Sequence, residues 1–267
     1  MFSFLKTLVL TTLPEPLLQA AKARHYARAL RSFSEDQEPD LAVVRHLVEP
    51  GSTAVDLGAN FGVYTRVLSE LVGPAGRVVS VEPVPQTHDL LARNVRALRL
   101  ENVRVVAAAV SDREGTVTME LPDYPTGGVN FYQARVVDGG APDAAGGTRS
   151  VRVRAATLDS LLADSGPVGF VKCDVEGHEL ACLAGARAVL AQAPAWLIEV
   201  WGNPADVGTN AAAVFALLRE AGYLPWYFAG GRLAPWQPGG ELSTNYFFLT
   251  DAHVAGLRTR APRFFAD

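Results

Sequence analysis

Short apolar runs alternate with amphipathic stretches along most of this chain. Almost wholly apolar runs lie near residues 53–57, 78–82, 102–110, 168–174 and 195–200. Between two of them, Leu90, Leu91, Val95 and Leu98 recur at the spacing of a helix. Apolar strands separated by helices predict an α/β fold whose parallel sheet is covered on both faces.

The last part of the chain completes this pattern. Helices are predicted over 179–190 and 210–221, and two further strands are predicted near 224–228 and 244–249. We therefore expect a seven-stranded sheet built from strand–helix units, with the last strand antiparallel.

One large domain with additions fits the length of 267 residues, which is enough to bury a substantial core. We expect an N-terminal helical cap over 1–50, in which Asp40 caps a helix. The core covers 51–250, with an insertion near 121–149 that is rich in Gly, Pro and Asp. Residues 251–267 form a C-terminal tail.

Two segments each have two interpretations. Residues 17–33 carry basic side chains among apolar ones, so this helix either lies on anionic lipid or, as we favour, packs on the domain or on a second subunit. A homodimer is therefore compatible with the sequence. The insertion over 121–149 is either a mobile loop above the site or an ordinary surface loop.

A glycine-bearing corner follows the first strand. The strand ends in Asp56, and Gly58 and Gly62 flank Asn60 where the chain turns into a helix. A dinucleotide fingerprint needs glycines where Asn60 and Val63 stand, so the pattern disfavours a pyrophosphate. Glu82 ends the second strand about twenty residues later, where an acid accepts hydrogen bonds from ribose hydroxyls. The corner predicts a ligand that carries a nucleoside.

The third apolar run ends at Ser111 and Asp112. Because open α/β sheets bind ligands at the carboxyl ends of their strands, Asp112 is a candidate partner for an adenine amino group. Capping of a turn explains this aspartate equally well.

Charge and cysteine content narrow the class of protein. The formal charge of −4 and the pI of about 5.8 disfavour nucleic-acid partners. Cys173 and Cys182 lie in a core strand and the next helix, which fits a reducing cytoplasm better than a disulfide framework. Residues 1–13 lack the features of a signal peptide, and we expect no transmembrane segment.

Titratable residues are densest after the fourth apolar run. Asp174, Glu176, His178 and Glu179 fall within six residues, where a strand passes into a helix. Acidic residues also stabilise the N-terminus of a helix, which alone accounts for one or two of them.

Four sequence blocks in order resemble the FkbM family of S-adenosylmethionine (AdoMet) methyltransferases. They are 55–65, 81–85 with Asn94, 153–162, and 171–179, which reads VKCDVEGHE. The resemblance implies a class I, Rossmann-like methyltransferase fold and O-methylation of a sugar or natural-product hydroxyl by AdoMet. The acceptor is then a small molecule or a glycan.

The corner and the resemblance together predict the site. We expect the cofactor to contact nine residues: Asp56, Gly58, Asn60, Gly62, Tyr64, Thr65, Glu82, Ser111 and Asp112. An alcohol must lose a proton as it is methylated, so a base is expected nearby. The candidates for this catalytic role are Asp174, Glu176 and His178.

Three alternatives remain open from the sequence. Asp174 and Glu199 end neighbouring strands and are able to hold Mg²⁺, although we favour a site without metal because the residues after Glu199 are Val200 and Trp201. A NAD-dependent oxidoreductase is disfavoured by the corner glycines. A methyltransferase-fold scaffold without activity is disfavoured because its acidic residues are all present.

Overall fold

The computed structural model describes residues 24–34, 37–123, 130, 133–137 and 149–265. Its helices are 24–31 (α1), Leu41–Leu47 (α2), Val63–Val72 (α3), Pro85–Leu98 (α4), Leu158–Leu162 (α5), Glu179–Ala184 (α6), Arg187–Leu190 (α7), Asn210–Glu220 (α8) and Asp251–Arg260 (α9). Its strands are Thr53–Leu57 (β1), Arg77–Val81 (β2), Val103–Val106 (β3), Ala109–Val110 (β4), Gly115–Leu121 (β5), Arg135–Val137 (β6), Arg149–Ala156 (β7), Val168–Cys173 (β8), Ala195–Glu199 (β9), Leu224–Ala229 (β10), Arg232–Pro235 (β11) and Asn245–Leu249 (β12).

The main sheet confirms the predicted α/β fold. Its strand order is β11-β10-β12-β9-β8-β1-β2-β3. Strands β3, β2, β1, β8 and β9 are parallel, and β12 runs antiparallel to both of its neighbours. The sheet has eight strands rather than the expected seven, because β11 folds back on β10 through Gly230 and Gly231. Both glycines have positive φ angles, as a two-residue hairpin turn requires.

The sheet carries a hydrophobic core on each face. One face packs around Trp196, Tyr246 and Phe248, and the other around Phe170 and Phe247, all of which are fully buried. The chain moves outward from β1 in both directions, to β2 on one side and to β8 on the other. Such a reversal opens a crevice at the carboxyl ends of the strands, where ligands bind.

A second, four-stranded sheet has the order β4-β7-β5-β6. The single strand predicted over 102–110 is wrong, because its first part is β3 in the main sheet and its last part is β4 in the second sheet. Strands β5 and β7, on either side of the insertion, pair antiparallel in this sheet. Strand β6 belongs to the insertion, of which 124–129, 131–132 and 138–148 lie outside the described residues.

The helix predicted over 179–190 is divided into α6 and α7. The break lies at Gly185, where a Cβ atom would overlap the backbone carbonyl of Ser111. Asp159 then caps α7, since its carboxylate accepts hydrogen bonds from the backbone of Ala188 at 2.9 Å and of Val189 at 3.0 Å.

The described part of the N-terminal cap packs on the core, as we favoured. Ala27 and Leu30 of α1 are buried, and Arg31 donates a hydrogen bond to the carbonyl of Ala97 at 2.9 Å. Residues 17–23 lie outside the described residues. The capping role predicted for Asp40 is wrong, because its carboxylate makes no cap bond and instead accepts one from Asn245 Nδ2 at 2.8 Å.

The C-terminal segment carries α9 and a 3-10 turn at Pro262–Phe264, with Leu257 and Phe264 buried against the core. Every helix in the described part of the chain is too short or too polar to cross a lipid bilayer.

Candidate active site

A cavity of about 390 Å³ opens at the carboxyl ends of β1, β2, β8 and β9. Met119 and Val136 of the second sheet, with Ala134 just before β6, form an apolar wall. The opposite side is rich in titratable groups: Glu38, Asp56, Glu82, Lys172, Asp174, Glu176, His178 and Glu199. The cavity thus holds six carboxyl groups and one lysine.

The corner after β1 forms one end of the cavity. Gly58 has a φ of +73°, and a Cβ atom there would overlap the carbonyl oxygen of Asp174, so both the turn and the close approach of the strands require glycine. Asn60 takes a left-handed conformation with φ of +50°, which asparagine tolerates better than most residues. Its N–H donates to Glu82 Oε2 at 3.0 Å.

Glu82 closes this corner from the end of β2. Its second oxygen, Oε1, accepts a hydrogen bond from the backbone of Val84 at 2.9 Å. Burial raises the pKa of Glu82 to about 7, although both backbone donors favour the charged form. The carboxylate is thus fixed at the position that the sequence assigned to a ribose partner.

Asp56 is buried, and a hydroxyl group outside the cavity holds its carboxylate. Its Oδ2 accepts a hydrogen bond from Thr65 Oγ1 at 2.6 Å, and that hydroxyl lies 2.8 Å from Ser80 Oγ. Burial raises the pKa of Asp56 to about 6. Gly62, with φ of +104°, faces Leu91 of α4. The described walls of the cavity include Asp56 but neither Thr65 nor Gly62, which support the corner from outside.

Ser111 and Asp112 also lie beside the cavity rather than on its described walls. Ser111 Oγ is 3.0 Å from Nε2 of His178, and the exposed Asp112 carboxylate is 3.4 Å from Arg113. Together with His178 they border an adjoining depression under the second sheet. His178 is half-buried and borders both spaces.

Tyr64 lines the cavity from α3, and its ring lies 5.2 Å from the ammonium of Lys172. Burial and the surrounding carboxylates raise the pKa of Tyr64 well above its ordinary value. Its phenol is therefore neutral at physiological pH.

Three carboxylates meet at the other end of the cavity. Single oxygens of Asp174, Glu176 and Glu199 all lie within 4.8 Å of one another. Burial alone would raise the pKa of Asp174, but Lys172, whose Nζ is 3.0 Å from Asp174 Oδ2, holds it below the ordinary value. Burial and the neighbouring Asp174 raise the pKa of Glu176 to about 7 and of Glu199 to about 8. The structure therefore brings Asp174, Glu176 and Glu199 together.

Lys172 was not among the predicted site residues. Only 4% of it is exposed, and it is the one lysine or arginine on the described walls of the cavity. The sequence did indicate this residue, because a lysine stands inside an otherwise apolar strand, and a charged side chain is buried only when it is paired. Glu38 and Asn245 also line the cavity. No sequence pattern indicated them, because both lie far from the motifs along the chain.

Other residues of the sequence blocks support the site from a distance. Asn94 of α4 is buried, and its Nδ2 donates to the carbonyl of Phe61 at 2.8 Å, which ties the corner to the next helix. Thr157 caps α5 by accepting a hydrogen bond from the backbone of Ser160 at 3.2 Å.

The side chains that line the cavity suit AdoMet. Glu82 is placed for a ribose, and Val81, Val84 and Val110 provide apolar surface for a purine. The excess of carboxylates favours a sulfonium cation and opposes the pyrophosphate of NAD.

The Methyltransferase FkbM domain matches residues 56–225, more than half of the chain. A protein-L-isoaspartate O-methyltransferase of Methanopyrus kandleri is 30% identical over 105 residues, which cover 39% of this chain and 42% of that protein. The ribosomal RNA large subunit methyltransferase E of Alkalilimnicola ehrlichii is 42% identical over 67 residues, covering 25% of this chain and 30% of that one. The chain thus spans less than half the length of these relatives.

Among solved structures, the methyltransferase FkbM of Methylobacillus flagellatus KT aligns with 86% of this chain and 58% of its own, at 17% identity and a TM-score of 0.46. The match of the family domain includes the corner, Glu82, the carboxylate cluster and β9. This chain belongs to the FkbM family of AdoMet-dependent methyltransferases.

Proposed function

We propose that the protein is an O-methyltransferase that transfers the methyl group of AdoMet to a hydroxyl of a sugar or small natural product. One observation carries this proposal: Glu176, a carboxylate with a raised pKa, stands on the cavity wall within 4.8 Å of Asp174 and Glu199. A base whose pKa lies near the working pH suits an alcohol, which must lose its proton during transfer.

Each carboxylate has a separate role in this proposal. Asp174, kept ionised by Lys172, accepts a hydrogen bond from the acceptor and orients it. Glu176 takes the hydroxyl proton. Glu199 carries a proton of its own at neutral pH and donates to Asp174, which prevents two adjacent charges. AdoMet supplies the electrophilic methyl group.

Electrostatics argues against a nucleic-acid acceptor. The cavity is lined by six carboxyl groups, and the whole chain has a formal charge of −4. Both would repel a phosphodiester backbone, whose binding depends on clustered lysine and arginine. A neutral hydroxylated acceptor avoids this repulsion.

We also propose that transfer needs no metal. Asp174, Glu176 and Glu199 are a possible ligand set, but the ammonium of Lys172 already neutralises Asp174 at 3.0 Å. A cation between them would have to overcome the repulsion of this buried ammonium. Full activity in EDTA is the expected result, and activity that disappears in EDTA and returns with Mg²⁺ would overturn it.

The insertion over 121–149 is proposed to close over the acceptor. Its described strand β6 already reaches the cavity through Val136, and Ala134 lies beside it. Replacing the residues between β6 and β7 with a short Gly-Ser linker should preserve AdoMet affinity and reduce transfer. Full transfer in that variant would exclude this role.

Product analysis tests the proposed reaction. Incubation with methyl-labelled AdoMet and a panel of sugars and hydroxylated natural products should yield a product that has gained one methylene on oxygen. Label found on a nitrogen or carbon atom, or on RNA, would contradict the proposal.

A further inference from the structure

Glu179 is a buried carboxylate that the proposed chemistry does not use. It is the first residue of α6, and only 1% of it is exposed. Its Oε1 accepts a hydrogen bond from the backbone N–H of Gly177 at 2.9 Å. The N–H groups of Val175 and of Glu179 itself also favour its charged form, against the burial that raises its pKa. The carboxylate is therefore directed back at the turn that precedes its own helix.

That turn has an unusual backbone. Glu176 has a φ of +54° and Gly177 a φ of +94°, so two successive residues are left-handed. A glutamate rarely adopts this conformation, because its Cβ approaches the following carbonyl oxygen. Backbone N–H groups in such turns converge and form a concave anion site. Here the anion is the carboxylate of Glu179.

The turn also determines where Glu176 lies. The side chain of Glu176 lines the cavity beside Asp174 and Glu199, whereas Glu179 lies beneath the same turn and is not on the described walls. On the outer side, Asn210 Nδ2 donates to the carbonyl of Gly177 at 3.3 Å. At Gly177 the contact with Asn210 is longer than the hydrogen bond that Glu179 accepts from within, which is 2.9 Å.

We propose that Glu179 is a positioning residue, whose carboxylate holds the turn from Val175 to His178 in the left-handed conformation that keeps Glu176 in the cavity. The part of this inference that concerns catalysis rests on the proposed role of Glu176 as base. The part that concerns the turn depends only on the backbone.

The test compares the wild type with Glu179→Gln in the full chain. A glutamine keeps the size but turns an NH₂ group toward backbone donors and removes the charge, so the amide of Gly177 should exchange its hydrogen at least about tenfold faster. Transfer should fall in kcat by a similar factor, while the KM for AdoMet changes little.

The pH profile gives a second readout, which a loss of overall stability alone would not move. The charged groups that act on Glu176 are Asp174, Glu179, Lys172 and the neighbouring Glu199. Because the charge of Glu179 opposes ionisation of Glu176, its removal should shift the acidic limb of the rate profile to lower pH. Relaxation of the turn toward water shifts it in the same direction.

Two further variants complete the test. Asp159→Asn is a control. The carboxylate of Asp159 also accepts hydrogen bonds from two backbone N–H groups, but these belong to α7, so this variant should lower stability without shifting the acidic limb of the rate profile. Gly177→Ala strains the same turn without a clash, since no atom lies within 4 Å of the added Cβ, and should reproduce the loss of kcat if Glu179→Gln does not fold.

An unchanged rate of amide hydrogen exchange at Gly177 in the Glu179→Gln variant would overturn the inference. Faster exchange with an unchanged kcat and acidic limb would overturn the positioning role. A wild type that transfers nothing to hydroxyls would contradict the proposed function instead, and hydrogen exchange would still decide the question of the turn.

Discussion

The neighbouring carboxyl groups of Asp174 and Glu199 differ in their surroundings, and this difference assigns their protonation states. Lys172 stabilises the ionised form of Asp174, whereas burial and the charge of Asp174 keep a proton on Glu199. Pairs of groups whose pKa values are driven apart in this way commonly divide acid, base and orienting roles. Glu176, with a pKa of about 7, remains as the group best suited to accept a proton.

At the ribose position, Glu82→Gln should weaken AdoMet binding by about 1.5 to 3 kcal/mol, because charged hydrogen bonds to ribose hydroxyls would be lost. Isothermal titration calorimetry with AdoMet and S-adenosylhomocysteine measures this directly, and both ligands should be affected equally. The exposed Glu101→Gln is a control outside the cavity and should bind normally. Unchanged affinity in Glu82→Gln would remove this residue from the cofactor site.

Some site residues can be recognised in the sequence and others cannot, because some are close along the chain and others are brought close only by folding. Asp174, Glu176 and His178 follow one strand, so their proximity is local and visible in the pattern. Lys172 stands two residues before Asp174 and was visible only as a charged residue in an apolar run. Glu38 and Asn245 are brought in by tertiary packing, which no local pattern encodes.

Substitution by alanine should have different effects at Gly58 and Gly73, because only Gly58 lies where the ends of β1 and β8 approach closely. Gly58 and Gly73 both have positive φ angles, +73° and +66°, so alanine strains both. Only at Gly58 would the new Cβ meet backbone, the carbonyl of Asp174, whereas nothing lies within 4 Å of Gly73. Gly73→Ala should cost about 1 to 3 kcal/mol of unfolding free energy from backbone strain alone, because its ψ of −174° places it in a region that is essentially restricted to glycine.

Gly58→Ala should cost clearly more, by about 1 to 3 kcal/mol, because the strand ends must separate. Urea unfolding of both variants tests the comparison, and calorimetry should show lost AdoMet binding only in Gly58→Ala. Equal stability of the two variants would mean that β1 and β8 do not approach as described.

The order of elements was predictable because apolar runs and helical spacing follow from burial on both faces of a sheet. The boundaries of strands and helices were not predictable where they depend on contacts between distant parts of the chain. The run over 102–110 is apolar after Arg104, so nothing at residues 107–108 marks the change from one sheet to the other. The end of α6 at Gly185 depends on the backbone of Ser111, which only the folded chain brings close.

For the whole molecule, the raised pKa values of the cavity carboxyl groups predict how stability depends on pH. Glu82, Glu176 and Glu199 have folded pKa values of about 7, 7 and 8, against an ordinary value of 4.5. Above pH 6.5 they bind protons in the folded state and none in the unfolded state, so stability must fall as pH rises. The melting temperature of the cofactor-free protein should decrease from pH 6.5 to 8.5.

Two histidines act in the opposite direction at the lower end of this window. Burial lowers the pKa of His46 and His253 below 6.5, so a rise of pH through about 6.5 removes protons mainly from the unfolded chain and increases stability; the decrease due to the carboxyl groups is therefore clearest above about pH 7.5. Glu199→Gln, a neutral isostere, should flatten the dependence on pH. A melting temperature that is constant or rises over this range would show that these carboxyl groups are already ionised in the folded protein.

Assembly and cellular location stay predictions. The described part of α1 packs on the core of its own chain, which leaves a homodimer untested, and the cytoplasmic assignment rests on the two cysteines alone. Both free cysteines are buried, so neither is placed to react at the surface.

The dependence of methyl transfer on pH, in the wild type and in Glu176→Gln, tests the central claim most directly. With Glu176 as the base, the wild-type rate should rise through about pH 7, and Glu176→Gln should lose about 10² to 10⁴ of kcat, while His178→Ala keeps the same profile. Full activity in Glu176→Gln, together with an acidic limb that disappears in His178→Ala, would contradict this account and assign the proton to the histidine.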